Sequence, residues 1–185
     1  EDSGVSVLNA DDPVVSGLME KAGGQLILFS LHPENEAIAQ HLNSGGTAVV
    51  LQDGDVVIHS PKPSVHLLSV LEAPITLGGV AAFNIANVLA AAAALHGLGI
   101  PVDMIRKGIS TFHPSATQNP GRMNLIDFIS FKVILDYGHN VPAVKALGTA
   151  LPHITKGRKI VVAHGTGNRL YEHIKVLVAT LADVY

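Results

Sequence analysis

Ala81-Ala82-Phe83-Asn84-Ile85-Ala86-Asn87-Val88-Leu89-Ala90-Ala91-Ala92-Ala93-Ala94-Leu95-His96-Gly97 is the strongest helix signal in the chain. It is dominated by Ala, Leu, Ile and Val, and Gly97 with Gly99 supplies the stop. Asn84 and Asn87 stand three apart, a spacing that sets both amides on one helix face near its N-terminus. The segments around this helix are short apolar runs bounded by turn residues, which read as strands.

Towards the N-terminus, Val5–Leu8 reads as a buried strand that ends in Asn9-Ala10-Asp11-Asp12-Pro13. Asp12 before Pro13 fits a helix N-cap with Pro at the first helical position, and a helix to about Lys21 is expected. Gln25–Ser30 is a second strand between Gly23-Gly24 and Pro33, and Glu34–Leu42 a short helix. Thr47–Gln52 and Asp55–His59 flank Asp53-Gly54, a two-residue hairpin signal. Ser60–Ser64 is a loop, and Ser69–Glu72 is expected as an edge strand.

Towards the C-terminus, Val102–Ser110 continues the helical pattern. Around Phe112–Pro120 the composition turns polar and proline-containing, which places a domain boundary there. Residues 1–118 and 119–185 are therefore expected as two domains. In the second, Arg122–Asp127, Phe131–Leu135 and Lys159–Ala163 read as strands, and Pro142–Leu151 and Tyr171–Val184 as helices. Alternating strands and helices with a Gly-rich loop make the fold class α/β with a parallel sheet.

The 185 residues are 48% apolar, ample for a packed core, with no Trp, so aliphatic and Ala packing carries it. The net charge of −3, without a basic tract, excludes a nucleic-acid or membrane-surface binder. The absence of Cys excludes disulfides and thiolate metal sites and fits a reducing cytoplasm. Val88–Leu95, the longest apolar run, is far below the roughly 20 residues of a membrane span. The N-terminal residues are not a signal peptide, and both ends read as cut.

Four constellations carry possible chemistry. The Asn84/Asn87 pair, behind Leu77-Gly78-Gly79, offers a donor and an acceptor together, as an adenine edge requires; a helix cap with a packing amide is the alternative. In Asn119-Pro120-Gly121-Arg122, an Arg fixed by a Gly turn suits phosphate or ribose oxygens. Asp136-Tyr137-Gly138-His139-Asn140 follows an apolar run, and ligands gather at strand carboxyl ends in α/β sheets. There Asp136 can accept from a ribose diol, and His139 can meet a phosphate or orient a carboxylate. His164-Gly165-Thr166-Gly167-Asn168-Arg169 can hold an anion on its amides, but it lacks the spacing of a phosphate-binding P-loop. The remaining histidines show no metal-ligand spacing, and no metal site is expected.

Taken in order, Val7–Asp12, Ile75–Gly79 with Phe83–Ala91, Asn119–Met123 and Asp136–Asn140 resemble the Mur ligase superfamily over nearly the whole chain. The Phe83-Asn84-Ile85-Ala86-Asn87 helix and the Asn119–Asn124 stretch resemble its cyanophycin synthetase branch. The resemblance implies the later part of a central ATPase domain, followed by the start of a Rossmann-like C-terminal domain. It implies an ATP-dependent ligase that activates a carboxylate as an acyl phosphate and joins it to the amine of an amino acid, Arg in that branch. By the resemblance, Asn84, Asn87, Arg122, Asp136 and Asn140 face the nucleotide. His139 lines the cleft as the catalytic candidate, and Gly167, Asn168 and Arg169 sit near the incoming amino acid. ATP and Mg²⁺ are then the cofactors, held mainly by residues upstream of this stretch. The partners are a peptide carboxylate and an amino acid, with a homo-oligomer open.

The sequence departs from the family pattern at Phe83, where a His is usual, at Val141 after His139-Asn140, and at Asn168 in place of an acid. The last departure keeps a muramoyl-peptide-type ligase and a degenerate, non-catalytic nucleotide-binding module as alternatives. The chain alone is expected to be inactive, because phosphoryl transfer needs the missing Lys and Mg²⁺.

Overall fold

In the computed structural model, which describes residues 3–163, 167 and 169–185, the first strand is β1 (Val5–Asn9). It pairs in parallel with β2 (Gln25–Ser30), and β2 in parallel with β3 (Thr47–Gln52). β4 (Asp55–His59) and β5 (Val65–Ser69) extend the sheet antiparallel, giving five strands in the order β1-β2-β3-β4-β5. The change of direction is made by Asp53-Gly54, both with positive φ (53° and 87°), the backbone a two-residue hairpin of this hand requires.

The sheet is covered on both faces because its central strands alternate between two apolar sets. Ile27 and Val49 face α3 (Ala82–Gly97), which buries Ile85, Val88, Leu89, Ala92 and Ala93. Leu28, Ala48 and Val50 face the opposite way and pack with Ile38 of α2 (Glu36–Asn43). Burial of each large aliphatic side chain contributes about 1.5–3 kcal/mol, so this double layer dominates the stability. α4 (Val102–Thr111) adds Ile105 and Ile109 to the α3 side.

Asp12 caps α1 (Pro13–Ser16) as expected, its carboxylate accepting from Val14 N–H at 2.8 Å and Val15 N–H at 3.2 Å. The expected extension to Lys21 is replaced by a break at Gly17 and a 3-10 turn, Met19–Lys21. Ser69–Glu72 is likewise not a strand. The ladder occupies Val65–Ser69, and Val70–Glu72 is a 3-10 turn begun by a capping box, with Ser69 N–H donating to Glu72 Oε2 at 2.9 Å.

The chain divides into two compact units, Glu1–Phe112 and His113–Tyr185. In the second, β6 (Asn124–Asp127) and β7 (Lys132–Leu135) form an antiparallel hairpin. α5 (Val141–Ile154) and α6 (Tyr171–Val184) pack together closely enough that a Cβ on Gly148 would lie 2.1 Å from Val184. The expected strand Lys159–Ala163 is absent: these residues form no described ladder, and Ile160 and Val162 are 74% and 96% exposed. A strand exists only through a neighbour's hydrogen bonds, and here apolar sequence alone did not supply one. Beside it lies a groove of about 510 Å³ lined by Ile134, Leu147, Leu151, Ile160, Leu181 and Tyr185. Burial, then the Asp136 carboxylate, raises the Tyr185 phenol above its ordinary pKa. No helix among the described residues is long and apolar enough to cross a membrane.

Candidate functional site

The first unit holds one cluster of interest, at the start of α3. Thr76 is fully buried, its hydroxyl 2.7 Å from the Val70 carbonyl and 2.9 Å from the Ala73 carbonyl, and it accepts from Gly79 N–H at 3.1 Å. This fixes Leu77, Gly78 and Gly79 in succession at positive φ (55°, 71° and 83°). The glycines take that region without strain; Leu77 takes it beside the buried Thr76, with its own N–H donating to the Pro74 carbonyl at 3.1 Å. Behind this loop, Asn84 is 5% exposed. Its Nδ2 donates to the Ile75 carbonyl at 2.8 Å, and its Oδ1 accepts from Asn87 Nδ2 at 3.3 Å. Asn87 is exposed. The two amides are thus joined, as their spacing predicted, but unequally: Asn84 is engaged within the fold, and Asn87 presents its remaining groups outward.

The second unit is organised by Asn124, 2% exposed. Its Oδ1 accepts from Gly121 N–H at 2.7 Å, and its Nδ2 lies 2.9–3.2 Å from the Asn119, Pro114 and Arg122 carbonyls. One side chain therefore shapes the whole Asn119–Met123 turn, in which Gly121 and Met123 have positive φ. Asp136 closes the turn against the end of β7. Its two oxygens accept from Met123 N–H at 2.9 Å and Gly138 N–H at 2.7 Å, and Tyr137 N–H donates to the Gly121 carbonyl at 2.8 Å. Arg122 projects from this frame with its guanidinium 5.2 Å from the centre of the Tyr137 ring, and the His139 ring lies 4.8 Å from that same ring, centre to centre. Arg122, Tyr137 and His139 therefore form one row of cationic and aromatic groups.

Asn140 begins α5 as its N-cap, accepting from Ala143 N–H at 2.9 Å. It lines a cavity of about 220 Å³ together with His139, Arg169, His173 and Leu177. The expected site residues thus fall into three groups: Asn84 with Asn87 in the first unit, Arg122 and Asp136 on the turn, and His139, Asn140 and Arg169 around the cavity. Gly167 has open space at its Cα. Asn168, and with it most of the loop His164–Arg169, lies outside the described residues. Sequence reasoning missed Asn124, Tyr137 and His173. Asn124 had a signal, since a polar residue opening an apolar strand implies a buried role. His173 had none, because its approach to His139 depends on how α6 packs on α5.

No protein-family model matches the chain. It is 37% identical over 182 residues to a cyanophycin synthetase of Crocosphaera subtropica, covering 98% of this chain and 21% of that protein. It is 30% identical over 171 residues to a UDP-N-acetylmuramoyl-L-alanyl-D-glutamate–2,6-diaminopimelate ligase of Streptomyces avermitilis, covering 90% of this chain and 30% of that one. A crystal structure of MurF from Acinetobacter baumannii superposes with a TM-score of 0.54 at 18% identity, over 82% of this chain and 30% of that chain. The chain therefore spans about a fifth of the cyanophycin synthetase it matches.

Proposed function

Because this chain is homologous to one segment of the cyanophycin synthetases and the Mur ligases, we propose that it is the part of an ATP-dependent amide-bond ligase that carries adenine-, ribose- and amino-acid-facing residues. The observation that supports this best is the extent of the likeness, 98% of the chain, which takes in the Asn84/Asn87 helix, the Asn119–Asn124 turn and the Asp136–Asn140 strand end.

In this reading Asn87 faces adenine, with Asn84 behind it. Arg122, held by the Asn124-centred turn, donates to nucleotide oxygens with its planar fork. Asp136 uses its remaining lone pairs on the ribose, since each oxygen already accepts a backbone N–H. His139 and Asn140 line the cavity into which the reacting groups extend. Arg169 and the loop before it meet the incoming amino acid, Arg, while the other substrate is a peptide carboxylate activated as an acyl phosphate. The ligase works in the cytoplasm, where ATP is available.

Among the described residues no group of three or more His, Cys, Asp or Glu side chains is placed to hold a metal ion. The described residues therefore offer Mg²⁺ no set of ligands. In this reading other segments of the parent protein hold the metal and supply the phosphate-binding loop. The 185-residue chain alone is then inactive.

The test is ligation by the full-length protein, followed as phosphate release with ATP, an aspartate-rich peptide and arginine. Turnover that needs all three is the expected result, with none from the isolated chain. Turnover only with a UDP-sugar peptide would favour the cell-wall ligase reading, which the 30% identity to the Streptomyces enzyme supports. Absence of nucleotide-dependent ligation with either acceptor would overturn the proposal.

A further inference from the structure

The structure assigns Asn84 a role as a positioning residue that locks the Asn87 amide in one orientation, so that the site reads 6-aminopurines and rejects 6-oxopurines. This rests on the reading that a nucleotide base lies at the start of α3.

The orientation follows from hydrogen-bond polarity, beginning at a group that cannot be reversed. The Ile75 carbonyl only accepts, so the Asn84 atom 2.8 Å from it is Nδ2. Asn84 Oδ1 therefore faces Asn87, and the Asn87 atom 3.3 Å from that oxygen is its own Nδ2. Reversing Asn84 would set a carbonyl oxygen against the Ile75 carbonyl in a place only 5% exposed, where water cannot compensate. Asn87, exposed, is left with its carbonyl and one N–H in a fixed order.

That order matters to a purine. Adenine presents an N–H donor at position 6 beside an acceptor at ring N1. Hypoxanthine and guanine present the reverse, an acceptor at position 6 beside an N1–H donor. An amide free to rotate by half a turn reads both by exchanging its oxygen and nitrogen. An amide whose nitrogen is tethered reads only one. With Asn87 held as it is, the carbonyl serves the 6-amino group and the N–H serves the ring nitrogen.

The experiment measures binding of ATP and ITP to the full-length protein by calorimetry, with inosine as the 6-oxo probe. Wild type is expected to prefer ATP by tenfold or more. Asn84→Ala, which frees Asn87, should narrow that preference to about threefold or less by strengthening ITP relative to ATP. Asn87→Ala should weaken ATP and bring both nucleotides to similar affinity. Asn84→Asp keeps an acceptor facing Asn87 and should retain the preference even where melting shows lower stability. An unchanged ATP-to-ITP ratio in Asn84→Ala, with wild type still binding ATP, overturns the lock and leaves the ligase reading standing. Equal binding of ATP and ITP by wild type overturns it without any variant. Failure of wild type to bind either nucleotide removes the lock and the reading together.

Discussion

A single asparagine governs the turn that carries Arg122. Asn124 meets Gly121, Asn119, Pro114 and Arg122 with both ends of its amide while 2% exposed. Asn124→Ala leaves those backbone groups without their partner and is expected to destabilise the second unit by about 2–3 kcal/mol. Urea denaturation of the variant against wild type measures this, and a loss under about 0.5 kcal/mol would show that the turn holds its shape without that amide. At this scale the sequence disclosed residue types better than residue duties. The pairing of Asn84 with Asn87 was legible because helical spacing is a local property. Which of the two is buried was not, because that depends on Ile75, nine residues earlier, folding back over the helix. Asp136 was read as a ribose contact from its place at a strand end. That its oxygens also staple Met123 and Gly138 required the tertiary turn.

Among the elements, the strands of the first unit were the most legible, since alternating apolar residues bounded by Gly, Pro and Asp-Gly follow directly from the pleat. Elements that failed did so where a ladder or a cap decided the outcome. Ser69–Glu72 carries the Ser-x-x-Glu spacing of a capping box, a local signal that competed with its apolar residues and prevailed. Lys159–Ala163 has the composition of a strand, but composition cannot specify a partner. The start of β2 offers a test of close backbone approach. Gly24 has φ 71°, and a Cβ there would lie 2.2 Å from the Gly4 carbonyl oxygen, which already accepts from Gln25 N–H at 2.9 Å. Gly24→Ala is expected to cost about 1–3 kcal/mol through backbone strain and a displaced β1–β2 register. A thermal melt of the first unit's circular dichroism signal checks it, and an unchanged midpoint would contradict the geometry.

For the whole molecule, the two units differ in how fully they enclose their apolar surface. In the first, Ile27, Leu28, Ala48 and Val49 are wholly inaccessible to solvent between helices on both faces. In the second, Phe128 and Phe131 stack in the open with Ile129 at 107% exposure between them, and Val162 is 96% exposed. Hydrogen exchange of the chain should therefore find its slowest amides in β2 and β3, and fast exchange in residues 128–131 and 159–163. Protection in residues 159–163 equal to that of β3 would mean that this segment is paired in solution. The fold class was legible at this scale because alternation of strands and helices suffices for it. The exposed apolar face was not, because the sequence shows that a residue is apolar but not whether anything covers it.

The reversal of strand direction at Asp53-Gly54 also sets the order in which the sheet can assemble. β3, β4 and β5 are joined by a two-residue turn and the short loop 60–64, so their contacts close over small separations. β1 and β2, by contrast, meet only across a crossover of intervening chain, and loop-closure entropy makes that pairing slower. During synthesis the order of appearance is the opposite: the slow parallel strands leave the ribosome first, and the fast meander follows. α3, which seals one face of both, emerges only after all five strands. Until then the nascent first unit holds Ile27, Val49 and Ile58 beside open water, a window in which a chaperone has most to shield.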